Sequence, residues 1–224
     1  MAGRNLQSAS STGAAVAGVI LCGGGSRRMQ SGEKPLLVAG EKSLLQLVID
    51  QVAPQVRQVV LSCGTNTSHY GAIGLPVITD QRNDAGPLAG VEAALADVEG
   101  DLLFFCPGDA PRFPANMVSE LLTAIGDGEV AFARVGGADH QLFLLVRRTQ
   151  SAAISAWLDN GGRSVSGWLA HVNAVPVDFA NPLDFSNINT PADLESFRRE
   201  VLDALRAARL PNRDDSRHSP ALCR

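Results

Sequence analysis

Residues 16–34 read VAGVILCGGGSRRMQSGEK, an apolar run that passes directly into three consecutive glycines and a group of basic residues. The run from Val16 to Cys22 is continuously apolar, which is typical of a strand covered on both faces of a sheet. Glycines at a strand end let the backbone approach a ligand closely and point N–H groups toward it. The stretch therefore predicts a strand followed by an anion-binding turn.

The positive charge of this turn comes from Arg27, Arg28 and Lys34. The turn is not a Walker loop, because no Gly-Lys-Ser/Thr follows, and it is not the dinucleotide pattern, because Arg28 stands where the third glycine belongs. A glycine-rich turn alone is weak evidence, and a tight turn with solvated charges is the competing interpretation. The three cations favour a phosphate ligand.

Further apolar runs alternate with helical patterns along the chain. The runs cover residues 58–63, 76–79, 102–106, 130–135, 142–146 and 174–179. Helical faces are marked by Leu88, Val91, Leu95 and Val98, by Val118, Leu121, Leu122 and Ile125, and by Leu194, Phe197 and Val201 after an N-cap at Thr190. This order predicts a three-layer α/β fold with a mostly parallel central sheet and right-handed crossovers.

The 224 residues suffice for one sizeable core, and we expect a single domain over 16–207 with disordered segments at 1–15 and 208–224. The net charge of −4 and the lack of a basic stripe argue against nucleic acid, and no apolar run is long enough for a membrane span. The four cysteines form no CxxC pair, which favours reduced thiols and a cytoplasmic protein. The sequence before Cys22 matches the pattern of a signal peptide poorly.

In parallel sheets the ligand lies outside the carboxyl ends of the strands, so the loops after residues 22, 63, 79 and 106 should carry the chemistry. Asp109, in FCPGDAP at 105–111, is a candidate Mg²⁺ ligand, since Mg²⁺ takes one or two carboxylates together with phosphate oxygens and water. The alternative is a cap for a helix beginning near Pro114. Asp80 could accept hydrogen bonds from a ribose or base, whereas Asp84 is typical of a turn.

Two other segments have candidate roles. The run GPLAG at 86–90 would let its helix approach a ligand closely, and NINTP at 187–191 places two amides before a helix N-terminus, where they bind a phosphate or a magnesium-bound water or else only cap the helix. His140 and Arg163 could face an acceptor, although a surface or hydrogen-bonded histidine is the simpler interpretation of His140.

The ordered set LCGG at 21–24, Arg28-Met29, Lys34, GPLAG, CPGDAP at 106–111 and NINTP resembles the molybdenum cofactor guanylyltransferase family over nearly all of 16–207. The resemblance implies a Rossmann-like nucleotidyltransferase fold. It implies that GMP is transferred from GTP to molybdenum-bound molybdopterin with Mg²⁺, releasing pyrophosphate and forming the guanine dinucleotide cofactor. Partners beyond the substrates would be molybdoenzyme apoproteins or cofactor-delivery proteins.

Carried over by position, the nucleotide-binding set is Leu21, Cys22, Gly23, Gly24, Lys34, Ser62, Asp80 and Asp109, with Asp109 also holding Mg²⁺. Lys34 and Arg28 are predicted to offset the negative charge that develops on the phosphates. The chain departs from the family pattern at Gln30, at Glu33 and at Ser62, which stands where a relative has a nucleotide-contacting Asn. The alternatives are a related transferase using CTP or a sugar-phosphate acceptor, and a non-catalytic nucleotide-binding regulator.

Overall fold

The computed structural model describes residues 16–23, 33–64, 67–82, 84–181, 185 and 188–209. Several sequence predictions lie outside these ranges, namely those for Gly24, Gly25, Arg27, Arg28, Gln30, Asn187 and Cys223, for residues 1–15 and for residues 210–224. Within the described part, no helix is long and apolar enough to cross a membrane.

The elements follow one another as strands and helices. The strands are β1 (Val16–Leu21), β2 (Val38–Ala39), β3 (Lys42–Ser43), β4 (Gln58–Cys63), β5 (Val77–Thr79), β6 (Leu102–Pro107), β7 (Val130–Val135), β8 (Ala138–Arg147) and β9 (Ala174–Phe179). The helices are α1 (Leu44–Val52), α2 (Pro87–Asp97), α3 (Met117–Ile125), α4 (Ser151–Asp159), α5 (Val165–Leu169) and α6 (Pro191–Arg209).

The described strands form a seven-stranded sheet in the order β5-β4-β1-β6-β8-β7-β9, and β2 pairs with β3 separately. Strands β5, β4, β1 and β6 are parallel neighbours, β9 is parallel to β7, and β8 is antiparallel to both β6 and β7. The predicted three-layer fold with a mostly parallel sheet is confirmed. Because β1 lies between β4 and β6, the crossover direction changes there, and the carboxyl ends of these strands share one edge.

Helices cover both faces of the sheet. One core contains apolar residues of α1 and α3, including Val48 and Leu121, and the other contains residues of α2, α4 and α5, including Leu88 and Ile154. Helix α6 packs on the β2–β3 hairpin through Leu194 and Phe197. These layers hold the carboxyl edge of β1, β4, β5 and β6 in a fixed position.

Strand β8 is longer than the sequence predicted, since it begins at Ala138 rather than at Leu142. Gly136 and Gly137 both have positive φ, at 56° and 82°, which is the backbone a tight hairpin between β7 and β8 requires. The polar residues after the turn therefore join the ladder even though they show no apolar run.

Candidate active site

The end of β1 is fixed by backbone hydrogen bonds on both sides. The N–H of Cys22 donates to the carbonyl of Ser62 at 2.7 Å, and the N–H of Gly108 donates to the carbonyl of Leu21 at 2.9 Å. A Cβ at Gly108 would lie 3.2 Å from the Cys22 sulfur, so the loops after β1 and β6 are closely packed. The glycine-rich turn consequently begins between the ends of β4 and β6.

Lys34 and Asp109 form an ion pair at this edge, although they are 75 residues apart in sequence. Lys34 begins a short 3-10 turn over Lys34–Leu36, and its Nζ also donates to Oδ1 of Asn189 at 2.8 Å. The side chains of Lys34 and Asp109 are 15% and 21% exposed, so the pair is partly shielded from water. The structure thus brings together the lysine of the first motif, the aspartate of the second and an amide of the last.

Asn189 is held by the start of helix α6. The backbone N–H groups of Asn189 and Thr190 donate to Oδ2 of Asp193 at 2.9 and 2.8 Å, and the N–H of Asp193 donates to Oγ1 of Thr190 at 3.1 Å. These backbone donors hold the pKa of Asp193 below its ordinary value. Thr190 and Asp193 therefore form the cap, which leaves the Asn189 amide directed at Lys34.

Asp109 does not cap a helix, the alternative that its position near Pro114 had left open. Helix α3 begins at Met117, after an Asn116 whose side chain makes no cap hydrogen bond. Asp109 also fixes the neighbouring loop through its backbone, because its carbonyl accepts from the N–H of Ile188 at 3.2 Å. The Asp109 carboxylate is positioned by the strand end rather than by α3.

A second group of predicted residues lies beside β1, where Ser62 donates through its hydroxyl to Oδ1 of Asp80 at 3.3 Å. Ser62 is 2% exposed, whereas Asp80 is half-buried. Burial raises the pKa of Asp80, and the Ser62 hydrogen bond opposes that shift. A Cβ at Gly23 would lie 3.5 Å from Oδ2 of Asp80, so this group adjoins the glycine turn.

Helix α2 needs a glycine at position 90, because it passes close to the ends of β1 and β4. A Cβ at that position would lie 2.5 Å from Oγ of Ser62 and 3.0 Å from Cδ2 of Leu21. The close approach that the GPLAG run predicted is therefore made to the ends of β1 and β4. Gly86, which precedes the helix, has φ 69°, a conformation that favours glycine.

The thiols of Cys22, Cys63 and Cys106 are buried and unpaired by disulfides, as the sequence predicted for these three. A hydrogen bond to Cys63, together with burial, raises the pKa of Cys22, and burial raises that of Cys106. Protonated thiols are poor nucleophiles and poor metal ligands. Cys22 can contribute its backbone to a ligand, but Cys22 and Cys106 are unsuited to covalent catalysis.

A cavity of about 340 Å³ opens between Pro107 and strand β8. Its lining residues are Pro87, Pro107, Asp139, His140, Gln141, Leu142, Phe143, Ser164, Val165 and Ser166. The β7–β8 ladder is interrupted here, since Phe132 pairs with Leu144 but Ala133 pairs with His140. Bulges of this kind redirect side chains beside functional sites.

His140 and Arg163, the two residues considered for an acceptor, are placed differently. The His140 ring packs against Phe185 with 4.8 Å between centroids, and burial lowers its pKa. The Arg163 Nη1 donates to the carbonyls of Leu158 and Gly162 at 2.8 and 2.7 Å. His140 lines the cavity, whereas Arg163 binds the turn after α4.

Residues 18–174 match the family model described as the MobA-like NTP transferase domain. The chain belongs to this family. Its membership confirms the resemblance seen in the sequence and makes the chain a nucleotidyltransferase. It is 34% identical to a molybdenum cofactor guanylyltransferase of Shewanella loihica, over 82% of this chain and 95% of the relative. It is 35% identical to one of Yersinia pestis, over 83% of this chain and 96% of the relative.

Solved structures share the MobA-like fold at lower identity. Molybdopterin-guanine dinucleotide biosynthesis protein A from Archaeoglobus fulgidus superposes with a TM-score of 0.69 at 19% identity, covering 84% of this chain and 99% of that one. A CMP:2-keto-3-deoxy-manno-octonic acid synthetase solved with CTP gives a TM-score of 0.69 at 18% identity, with the same coverage. These likenesses concern the fold alone.

Proposed function

We propose that this chain transfers GMP from GTP to molybdenum-bound molybdopterin and releases pyrophosphate. The observation that carries the proposal is the contact of Lys34 with both Asp109 and Asn189 at the carboxyl edge of the sheet. Three motifs that are far apart in sequence converge there on groups suited to phosphates and a hard cation. The names of the relatives support guanine as the base and molybdopterin as the acceptor.

Asp109 is the residue we assign to magnesium. Among the described residues, no group of three or more His, Cys, Asp or Glu side chains could hold a metal ion. A single carboxylate still fits Mg²⁺, which completes its shell with phosphate oxygens and water. Bound at Asp109, Mg²⁺ would neutralise charge on the phosphates.

The side chains act by position and charge. Lys34 is held on two sides by oxygen atoms, so its ammonium is fixed at the edge where the triphosphate would lie. Nucleotidyl transfer needs little covalent help from a protein, because placing the reactants and neutralising the departing pyrophosphate supply most of the rate. We assign Lys34 this charge-neutralising role, together with Arg28, and assign Leu21, Cys22, Gly23 and Gly24 to ordering the nucleotide.

We place the acceptor in the cavity beside Pro107. This residue closes β6 two positions before Asp109, so a ligand in the cavity lies next to the proposed phosphate site. The walls combine apolar surface from Leu142 and Val165 with polar groups such as Gln141, which suits a flat heterocycle with hydrogen-bonding edges. We further propose a cytoplasmic reaction whose product passes to molybdoenzyme apoproteins or delivery proteins.

The proposal is tested with a panel of GTP, CTP and ATP, each supplied with Mg²⁺ and molybdenum-bound molybdopterin. We expect pyrophosphate release and a guanine dinucleotide product with GTP, and less than about a hundredth of that rate with the other nucleotides, a ratio that equals about 2.7 kcal/mol. Transfer from CTP at a comparable rate would contradict the assignment of guanine. GTP binding without any transfer would favour a regulator.

Because of Asp80, the affinity for GTP should fall at acid pH, which gives its pH profile an acid limb. The ionised carboxylate accepts hydrogen bonds through both oxygens, whereas protonation turns one of them into a donor. Because burial raises the pKa of Asp80, GTP affinity should fall as pH drops through that raised value. Asp80→Asn is expected to raise the KM for GTP about tenfold at neutral pH and to remove the acid limb. The KM for GTP measured between pH 4.5 and 8 tests this. If the acid limb of the profile is unchanged in the variant, a group other than Asp80 is responsible for it.

The same shift predicts a stability effect of opposite sign. The pKa of Asp80 is higher in the folded state than in the unfolded state. The unliganded protein therefore loses stability as pH rises from the unfolded-state pKa through the folded-state pKa. Asp80→Asn should therefore fold normally, which separates lost binding from misfolding. Thermal unfolding at each pH supplies that control.

A further inference from the structure

Tyr70 lies outside every motif that the sequence singled out, yet its hydroxyl contacts both sides of the glycine-rich turn. It is 3.3 Å from the carbonyl oxygen of Cys22 and 3.2 Å from Oε2 of Glu33. Cys22 is the residue after β1, and Glu33 directly precedes Lys34. One hydroxyl proton is thus shared between the two ends of the segment that carries the predicted phosphate-binding groups.

The tyrosine is itself rigidly held. Its side chain is 1% exposed and packs in the core cluster that contains Val48 and Cys63. Its N–H donates to the carbonyl of Thr67 at 3.1 Å, and its carbonyl accepts from the N–H of Ile73 at 3.0 Å. Burial raises the pKa of the phenol, so the hydroxyl remains a donor at neutral pH. The ring is therefore a fixed support rather than a mobile side chain.

Glu33 passes this support on to Lys34. The carbonyl of Glu33 accepts from the N–H of Leu36 at 2.9 Å and closes the 3-10 turn on which Lys34 stands. Holding the Glu33 carboxylate thus fixes the start of that turn. Cys22 gives the opposite reference point, because its N–H is bonded to the carbonyl of Ser62 at 2.7 Å.

We infer that Tyr70 is a positioning residue for nucleotidyl transfer, which sets Lys34 relative to the end of β1 by holding Glu33 and Cys22 with one hydroxyl. The inference rests on the proposed function, since it requires that Lys34 act on the phosphates. It does not require contact between Tyr70 and any substrate.

The test is a double-mutant cycle between Tyr70→Phe and Lys34→Ala, measured as kcat/KM for GMP transfer. Tyr70→Phe keeps the packed ring and removes only the hydroxyl. We expect it to lower kcat/KM about tenfold in the unaltered chain, but by less than about twofold in the Lys34→Ala background, because the group it positions is then absent. A role in general stability would instead give the same factor in both backgrounds.

Thr123→Val is the matched control, since it also exchanges a hydroxyl for a nearly isosteric group. The Thr123 hydroxyl donates to the carbonyl of Ser119 at 2.7 Å on the exposed side of α3. We expect wild-type kcat/KM for this variant, with thermal unfolding confirming that all the variants fold.

Each outcome has a separate meaning. An unchanged rate in Tyr70→Phe, or equal losses in the two backgrounds, would overturn the role of Tyr70 and leave the proposed function standing. Full activity in Lys34→Ala would overturn the role of Lys34, and with it the positioning role. No GMP transfer by the unaltered chain would contradict the proposed function before any variant is compared.

Discussion

Replacing Asp109 by Asn is expected to lower kcat/KM for GMP transfer by at least about a thousandfold, which corresponds to about 4 kcal/mol of transition-state stabilisation. The amide keeps the shape of the carboxylate and an oxygen that can accept from Lys34. It loses the negative charge that we assign to holding Mg²⁺ on the nucleotide. Asp109→Ala should be equally inactive, because it loses the charge and the oxygen together. Pyrophosphate release and product formation measure both variants.

The control for Asp109 lies in the same loop-strand-loop unit. Asp101 immediately precedes β6, at the opposite edge of the sheet, and its carboxylate is exposed to solvent. Asp101→Asn should leave kcat/KM within about twofold of the unaltered chain, since an exposed charge at the other end of β6 from Asp109 is screened by salt. Thermal unfolding should give similar midpoints for Asp101→Asn and Asp109→Asn. Normal turnover by a folded Asp109→Asn variant would show that Asp109 does not hold Mg²⁺ for the reaction.

The strands could be predicted where burial leaves a continuous apolar record. The bounds of β4, β7 and β9 match the predicted runs. Strands covered on both faces, such as β4 and β7, need apolar residues at most positions, whereas the edge strand β9 alternates and exposes Pro176 and Asp178. Strand β8 departs from this rule at its start, where Asp139, His140 and Gln141 pair with β7 or line the cavity instead of a core. Polar strand residues beside a functional cavity leave no apolar pattern to detect.

Helices α1, α4 and α5 were not predicted, and the reasons differ between α1 and α5. Helix α1 had a readable signal, because the Ser43 hydroxyl accepts from the N–H of Gln46 at 3.1 Å as an N-cap and apolar residues follow at helical spacing. Helix α5 has five residues and includes Gly167, so it shows too few turns for a periodic pattern. Tertiary packing of Trp168 and Leu169 supplies what the local sequence lacks.

The candidate site shows the same division. The rule that ligands bind at the carboxyl ends of parallel strands predicted that Lys34 and Asp109 share an edge, and their contact agrees with it. Asn189 was predicted as an amide at a helix start, but not as a partner of Lys34, because the contact of the segment before α6 with the loop after β6 leaves no local pattern. Tyr70 was missed since a single buried tyrosine in a turn is indistinguishable from a core residue until its hydroxyl has been placed.

Lys34→Ala is expected to lower kcat/KM about 100- to 1000-fold, or by about 3–4 kcal/mol, since it removes the one described cation held against Asp109. Lys34→Arg should recover only part of this loss. The guanidinium is planar and broad, whereas the lysine ammonium fits as a compact charge between the oxygens of Asp109 and Asn189. Asn189→Ala, which removes one of those oxygens but no charge, should cost about tenfold.

Lys42→Ala is the matched control, because the Lys42 ammonium pairs with Asp50 at 2.7 Å on the surface, where its side chain is 53% exposed. An exposed pair of this kind contributes little, so the variant should keep wild-type kcat/KM and nearly the same unfolding midpoint.

Steady-state rates at saturating and limiting GTP separate the effect of Lys34 on binding from its effect on the chemical step. A loss confined to KM would mean that Lys34 binds the ground state and the transition state equally well, whereas a loss in kcat requires that it acts on charge that develops during transfer.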